Sequence, residues 1–399
     1  MSVEKKAPEI RFAGFGGKWD KKELGTDVAD IIGGGTPSTS ISEFWNGDID
    51  WYSPTEIGDN VYAKGSQKKI TALGLNSSSA KVLPAGNTVL FTSRACIGDM
   101  AILSRSGATN QGFQSFVIKE GFSPYFIYSS GEQIKEFALK HASGSTFLEI
   151  SGKQLGRMEI LIPCEKEQTT IGSYFKQLDS LIKQHQQKHD KLSNLKKAML
   201  EKMFPKQGET VPEIRFKGFS GEWEEIELSD EVTFINGRAY SQEELQVKGK
   251  YKVLRVGNFY TNSSWYYSDM ELGDKYYADF GDLLYTWSAS FGPHIWNGDK
   301  VIYHYHIWKL ELSKKVDKLF LLHLLDYDRA KILSGSNGST MIHITKSAME
   351  AKKVFIPKKE EQAAIGNYFQ KLDTLIEQHQ QQITKLTNIK QACLSKMFV

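Results

Sequence analysis

Two stretches of the chain distribute apolar and polar positions with a helical period. Within 162–204, Ile171, Phe175, Leu178, Ile182, His185, His189, Leu192, Met199 and Met203 fall on a 4-3 spacing. Within 356–398, Ile365, Phe369, Leu372, Ile376, His379, Ile383, Leu386, Cys393 and Met397 occupy the same seam. A stripe recurring about every 3.5 residues over several heptads predicts two helices packed as a coiled coil. Each run of about 40 residues would be roughly 60 Å long at ~1.5 Å per residue. A second apolar line (Leu181, Leu195 and Leu200; Leu375, Ile389 and Leu394) is wider than a two-stranded seam requires, and would pack on neighbouring segments or bind another protein. Elsewhere the pattern changes. IDWYSPTEI (49–57), KVLPAGNTVLFTSR (81–94), KYKVLRVGNFY (250–260) and DLLYTWSASFG (282–292) are rich in aromatic and β-branched residues and end in turn formers. They read as strands. Shorter helical stretches follow near 124–141 and 316–333, so the expected fold class is α+β.

The chain is also written twice. PEIRFAGFGGKWDKKEL (8–24) matches PEIRFKGFSGEWEEIEL (212–228) at eleven of seventeen positions, and 162–204 matches 356–398. The stretches between, roughly 25–160 and 229–353, barely resemble one another except where GSTFLEIS (144–151) answers GSTMIHIT (338–345). The expected organisation is a tandem: a globular segment over 1–160, a helix over 161–204, a second globular segment over 205–353 and a second helix over 354–399. The connector Pro205–Pro212 is too short to span a helix, so the second half begins near the far end of the first helix, and a second helix that returns to pair with the first would run antiparallel to it. The result is an antiparallel coil carrying two heads. A shared frame around divergent inserts means one job done twice and two jobs done differently. Gly172 and Gly366 recur inside the helices, where glycine costs up to about 1 kcal/mol relative to alanine. They mark either a close approach by the heads or a frayed first turn.

Composition adds mainly exclusions. The 399 residues are 40% hydrophobic and 24% charged, which is globular composition for two or three domains. No apolar run approaches the ~20 residues of a spanning helix, and no signal segment opens the chain, so a cytoplasmic location is expected. Cys96, Cys164 and Cys393 suggest neither a disulfide framework nor a zinc site. The one glycine cluster, Gly33-Gly34-Gly35-Thr36-Pro37, lacks the lysine of a phosphate-cradling loop and reads as a mobile turn. No Asn/Asp-Pro-Pro-aromatic loop, G-x-S-x-G or H-E-x-x-H occurs. His185 and His189 have metal-ligand spacing, but the second helix has Ile383 in place of the second histidine. They read as a polar layer inside the coil, and no metal site is expected. YHYH (Tyr303–His306) alternates like a strand with one core face.

Charge is nearly balanced: 50 Lys+Arg against 47 Asp+Glu. Segment 25–160 holds 11 basic and 13 acidic residues, and segment 229–353 holds 16 and 15, so a nucleic-acid face would have to be local. Candidate DNA contacts in the first segment are Thr36, Ser38, Lys68, Lys69, Arg94, Asn110, Gln111 and Gln114. In the second they are Arg238, Tyr240, Arg255, Asn258, Trp287 and His294. These side chains suit phosphates or base edges. The competing reading is a two-headed scaffold binding peptide or carbohydrate through Trp45, Trp51, Trp265 and Trp287, although tryptophans in a β-rich domain are more often core.

The order of these motifs resembles the specificity subunit of type I restriction-modification systems. The resemblance covers nearly the whole chain: the PEIRFxGFxGxW lead-ins, GGTPS…FWNGDIDW (34–51), DLLYTWSASFG, GSTFLEIS and the I-P-x-x-x-E-Q-x-x-I-G-x-Y/F-F entrance to each helix. It implies that each head is a target recognition domain reading one half of a bipartite double-stranded DNA site. It further implies that the helices set the spacing, and that two methyltransferase subunits and restriction/translocase subunits dock on the chain. S-adenosylmethionine, ATP and Mg would be bound by those partners, leaving this chain non-catalytic and without a cofactor of its own.

Overall fold

The computed structural model describes residues 7–398 apart from Asp59, 145–147, Thr261, Ala289 and 336–343. The matched GSTFLEIS and GSTMIHIT segments therefore lie largely outside the described residues. The chain divides into two compact units: residues 1–186 with 381–399, and residues 187–380. Each contains one head, part of the first long helix and part of the second.

In the first unit, the lead-in strand β1 (Asp20–Glu23) is followed by β2 (Ala29–Gly33), β3 (Trp45–Tyr52), β4 (Tyr62–Ala63), β5 (Lys68–Ile70) and helix α1 (Ala72–Asn76). Then come β6 (Thr88–Phe91), β7 (Met100–Leu103), β8 (Gly107–Thr109), β9 (Gln114–Ile118), α2 (Pro124–Ser129), α3 (Gly131–His141), α4 (Gly152–Gly156) and β10 (Glu159–Ile162). Helix α5 spans Glu165–Met203 and continues into the second unit. There the order is β11 (Glu224–Glu227), α6 (Leu228–Glu231), β12 (Val232–Asn236), β13 (Tyr251–Leu254), β14 (Tyr266–Ser268), β15 (Tyr277–Ala278) and β16 (Leu283–Thr286). It closes with β17 (Gly292–Ile295), β18 (Val301–Tyr303), β19 (Ile307–Leu312), α7 (Lys318–Gly335), α8 (Lys346–Glu350), β20 (Lys353–Ile356) and α9 (Lys359–Met397).

The two heads share most of their strand order and differ at one edge: β4 joins β7 in the larger sheet of head 1, whereas β15 joins β18 in the other sheet of head 2. Head 1 has sheets of order β2-β9-β6-β7-β4 and β5-β3-β8; head 2 has β12-β19-β16-β17 and β14-β13-β18-β15. Strand for strand, β2, β9, β6 and β7 correspond to β12, β19, β16 and β17, while β5, β3 and β8 correspond to β14, β13 and β18. Both heads hold a corresponding parallel pair (β3 with β8, β13 with β18) among antiparallel neighbours, and head 1 has a second, β4 with β7. Sequence similarity had vanished across these stretches because strand order is set by buried apolar positions, which tolerate exchange, and not by surface identity.

The shared lead-ins and helix entrances form a repeated joint. β1 pairs antiparallel with β10, and β11 with β20, bringing each lead-in beside the strand that enters its helix. Arg11 then makes a two-pronged contact with Glu167, both bonds 2.6 Å, and Arg215 does the same with Glu361, again 2.6 Å. Both carboxylates are buried, and charges removed from water require this pairing. The adjacent Gln168 accepts from Ser123 N (3.0 Å) and donates to Pro163 O; Gln362 accepts from Asp317 N (2.8 Å) and donates to Pro357 O. One turn on, a Cβ added at Gly172 would lie 3.2 Å from Tyr125 Cβ, and one at Gly366 would lie 2.7 Å from Phe320 N. Of the two explanations for these glycines, the close approach by the heads holds.

The helices run antiparallel within each unit. In the first, Tyr174 of α5 meets Cys393 of α9 at 3.5 Å and Asp179 meets Lys390 at 2.6 Å, numbers rising on one helix as they fall on the other. In the second, Lys196 of α5 meets Asp373 of α9 at 2.6 Å. Along the expected seam, Ile171, Phe175, Leu178, Ile365, Phe369 and Leu372 are buried, whereas Ile182, His185, Leu192, Ile376, His379 and Leu386 are half-buried. The first six lie under a head as well as against a helix. In the second apolar line, Leu200 is buried, but Leu181, Leu195 and Leu375 stay 38–43% exposed.

Residues 124–141 are helical as expected, in two pieces, α2 and α3, that break at Ser130. Two sequence expectations need correction. Tyr303–His306 is not one strand: β18 ends at Tyr303, and 304–306 turn into β19 of the other sheet. The Gly33–Gly35 run is a packed turn and not a loose one. A Cβ at Gly34 would fall 1.9 Å from Asn110 O, and one at Gly35 2.5 Å from Ala80 N.

Candidate nucleic-acid interface

In each head the loops that follow the corresponding strands converge on one end of both sheets, and a shared set of backbone hydrogen bonds fixes them. In head 1, Gly35 N donates to Thr109 O (2.8 Å), Asn110 N to Tyr52 O (3.0 Å) and Ser93 N to Gly112 O (2.8 Å). In head 2, Arg238 N donates to Tyr303 O (3.1 Å), His304 N to Leu254 O (2.9 Å) and Trp287 N to His306 O (3.1 Å). Ser53 N is capped by Glu56 Oε2 (2.7 Å) as Arg255 N is by Asn258 Oδ1 (3.1 Å). The one glycine common to the frame is Gly34 in head 1 and Gly237 in head 2. A Cβ at Gly237 would meet His304 O at 2.4 Å, matching the clash at Gly34.

These bonds align the heads residue by residue. Thr36, Ser53, Arg94, Asn110, Gln111 and Gly112 of head 1 stand where head 2 has Ala239, Arg255, Ser288, His304, Tyr305 and His306. One backbone frame thus presents amides, hydroxyls and one arginine in the first head, and imidazoles, a phenol and a different arginine in the second.

Head 1 brings together Thr36, Arg94, Asn110 and Gln111. The Thr36 hydroxyl bonds the Gln111 side-chain oxygen, leaving the amide N–H groups of Gln111 outward; both residues are exposed. Asn110 Oδ1 accepts from Gly112 N at 2.7 Å, so it shapes the loop with that atom. A Cβ at Gly112 would lie 3.2 Å from Arg94 Nε, which places the arginine beside this loop. Gln114 begins β9 opposite Gly33, its side-chain oxygen close over Gly152. Ser38 is exposed, bonds Ser40, and its carbonyl accepts the Trp45 indole N–H at 3.0 Å. Lys68 and Lys69 lie on the edge strand β5. Lys68 extends over the Trp45 ring at 5.9 Å, while Lys69 pairs with buried Asp50 at 3.6 Å, alongside Arg105 at 4.0 Å.

Head 2 divides its candidates between structure and surface. Arg238 is held by both oxygens of Glu244, at 2.7 and 3.1 Å, and lies 5.2 Å from the Tyr240 ring. Tyr240 is half-buried, and that burial raises its phenol above the ordinary range. Asn258 uses its amide inside its own loop, donating to Asn262 O and Ser264 O. Trp287 donates to Tyr305 O at 2.9 Å and stacks on Trp308. His294 stacks on Phe259 at 4.2 Å and shares a hydrogen bond with Tyr260 Oη; burial first, then Arg329, pushes it down to about 4, against Asp326. Among the described residues Arg255, unlike Arg238, forms no ion pair with a carboxylate. Its guanidinium lies over Tyr266 at 4.2 Å, and its buried Nε has no acceptor among the described residues.

Sequence reasoning missed Ser53 and the turn His304–Tyr305–His306. YHYH was noticed as a pattern, but assigning it to a strand hid that all three residues occupy the loop end. His304 is pushed down to about 4 by burial, then by His306 and Arg255, so it presents a neutral ring at pH 7. Of the tryptophans in the scaffold reading, Trp51 is buried with its indole N–H on Gly35 O. Trp45 packs edge-on against it, and Trp265 packs on Trp296. All of these contacts are structural.

Duplicated head-and-helix units whose frames match while their loop ends differ are the architecture of type I specificity subunits. The family model for the type I restriction modification DNA specificity domain matches residues 17–194 and again 220–388. The chain belongs to this family. It is 26% identical over 414 residues to the specificity subunit of the type I restriction enzyme MjaIX from Methanocaldococcus jannaschii, covering 95% of this chain and 92% of that one. It is 31% identical over 174 residues to the EcoR124I/EcoR124II specificity subunit of Escherichia coli, covering 41% and 42%. Among solved structures, it resembles the S subunit of the type I restriction-modification system from M. genitalium, with TM-score 0.67, 14% identity and coverage of 98% and 99%. A chain from a study of complex assembly in the type I system has TM-score 0.52, 18% identity and coverage of 95% and 97%. Among the described residues no helix is long and apolar enough to cross a membrane.

Proposed function

We propose that this chain is the sequence-reading, non-catalytic subunit of a type I restriction-modification complex. Each head reads one half of a bipartite double-stranded DNA site through its loop end. The observation that carries this reading is the pair of matched frames with unmatched side chains. A catalytic site kept twice would repeat its chemistry, whereas two heads reading two different half-sites must differ there. The two helices, each 39 residues and hence about 60 Å long, set the distance between half-sites. Two methyltransferase subunits dock on helices and heads, exposed Leu181, Leu195 and Leu375 offering apolar surface, and restriction/translocase subunits join them. Those partners hold S-adenosylmethionine, ATP and Mg. Near-neutral heads suit a chain that shares the enclosure of the duplex, and phosphate contacts on the partners supply the remaining charge.

The test is base-resolution methylome sequencing in a methylase-free host expressing the cognate methyltransferase subunit with and without this chain. The expected result is methylated adenine at one split, asymmetric motif, present only with the chain. Co-purification without any motif would refute sequence reading by these heads. Absence of association would favour a scaffold.

A further inference from the structure

We infer that Arg94 and Arg255 are the guanine-reading side chains of the two heads, one in each, so that each half-site contains a G·C pair contacted by one of them. This rests on the reading proposed above and names the base chemistry it leaves open.

At the loop ends, the arginines divide sharply by partner. Arg238 is closed by Glu244. Arg329, which reaches the start of β17, pairs with Asp326 at 3.3 Å. Arg94 and Arg255 have no carboxylate partner among the described residues. Both are also held. Arg255 is stacked on Tyr266, its backbone N–H is capped by Asn258, and its buried Nε lacks an acceptor. Arg94 lies between the Ser93 N to Gly112 O bond and Ala95, whose φ of 61° is a left-handed conformation that costs a non-glycine residue energy. A strained residue next to a half-buried, unpartnered guanidinium marks a loop shaped to aim it.

Position decides between phosphate and base. The two heads share one backbone frame, and phosphates look the same whatever the sequence. A phosphate clamp would therefore recur at the same place in both heads. These arginines do not recur: Arg94 stands where head 2 has Ser288, and Arg255 where head 1 has Ser53. A free arginine that changes place between matched frames carries sequence information. The base edge that matches its planar fork is guanine, through O6 and N7.

The experiment compares methylomes of the wild-type chain, Arg94→Lys and Arg255→Lys, each co-expressed with the methyltransferase subunit and matched in melting temperature. Lysine keeps the charge and loses the fork. The expected result is that each wild-type half-site contains a G·C pair. Arg94→Lys should relax one such position in one half-site roughly tenfold or more, and Arg255→Lys one position in the other, each leaving the opposite half-site intact. A wild-type half-site without G·C, lysine variants with unchanged motifs, or uniform loss of methylation by a folded variant would each overturn the inference. A wild-type chain that yields no split motif would instead overturn the reading on which it rests.

Discussion

At the scale of single residues, the two helix glycines are matched in sequence but unequal in tolerance. Gly366→Ala drives a Cβ to 2.7 Å from the Phe320 backbone nitrogen, which cannot step aside, whereas Gly172→Ala meets Ser123 Oγ at 3.1 Å, an atom that can rotate away. Gly366→Ala should therefore cost about 1–3 kcal/mol and Gly172→Ala distinctly less, by urea denaturation. Equal costs would show that the head gives way in both units. His323 supplies a pH test. It is buried at 1% exposure, 3.9 Å from Asp373, and pushed down to about 4 by burial first and then by Lys196, with Asp326 opposing. Its ordinary value is about 6.5, so between these values the unfolded chain binds a proton that the folded chain refuses. Stability is full above about pH 6.5 and falls as pH drops toward 4, by about 1.4 kcal/mol per unit. Asp373, raised by burial, takes its proton early in the folded state and opposes this at the acid end of the window. His323→Leu should flatten the acid limb; an unchanged limb would assign it to other groups.

Between elements, the repeated joint is where stability concentrates. Arg215→Met leaves the Glu361 carboxylate buried without its partner, so it should cost about 3 kcal/mol or more in the denaturant midpoint of the second unit. Converting both residues to apolar ones should recover much of that loss, as expected when no lone charge remains; failure to recover would mean that the pair specifies the joint and does not merely neutralise it. The joint was half legible in the sequence. The PEIRF lead-in and the E-Q entrance announced themselves by recurring, but nothing along the chain says that Arg11 reaches Glu167, 156 positions away. The helices were legible because a 4-3 stripe over dozens of residues leaves little choice. Strand order was not, because register is decided by pairing across the chain. The candidate site followed the same division. Polar residues in turn-rich stretches could be picked out as candidates, but Lys68, Lys69, Gln114 and His294 lie on strands, and Arg238 and Arg255 look alike until Glu244 is seen to close one of them. The YHYH turn was hidden because alternation alone does not reveal a change of sheet.

For the whole molecule, the matched frames predict modularity. Replacing residues 229–353 with the corresponding segment of another specificity subunit should change one half-site of the methylated motif and leave the other as it was. Inserting one heptad into each helix should lengthen the spacer and preserve both half-sites; an altered half-site would count against the helices as the spacing element. The division into units has a further consequence, for synthesis. The second unit is continuous, 187–380, whereas the first needs 381–399 to finish. Phe398 packs on Trp19, Phe126 and Phe175 of the first unit, and Met397 is buried in the same cluster. A ribosome delivers those residues after everything the second unit requires. The head made first is therefore completed last, and it waits through the translation of some two hundred codons with an aromatic face uncovered.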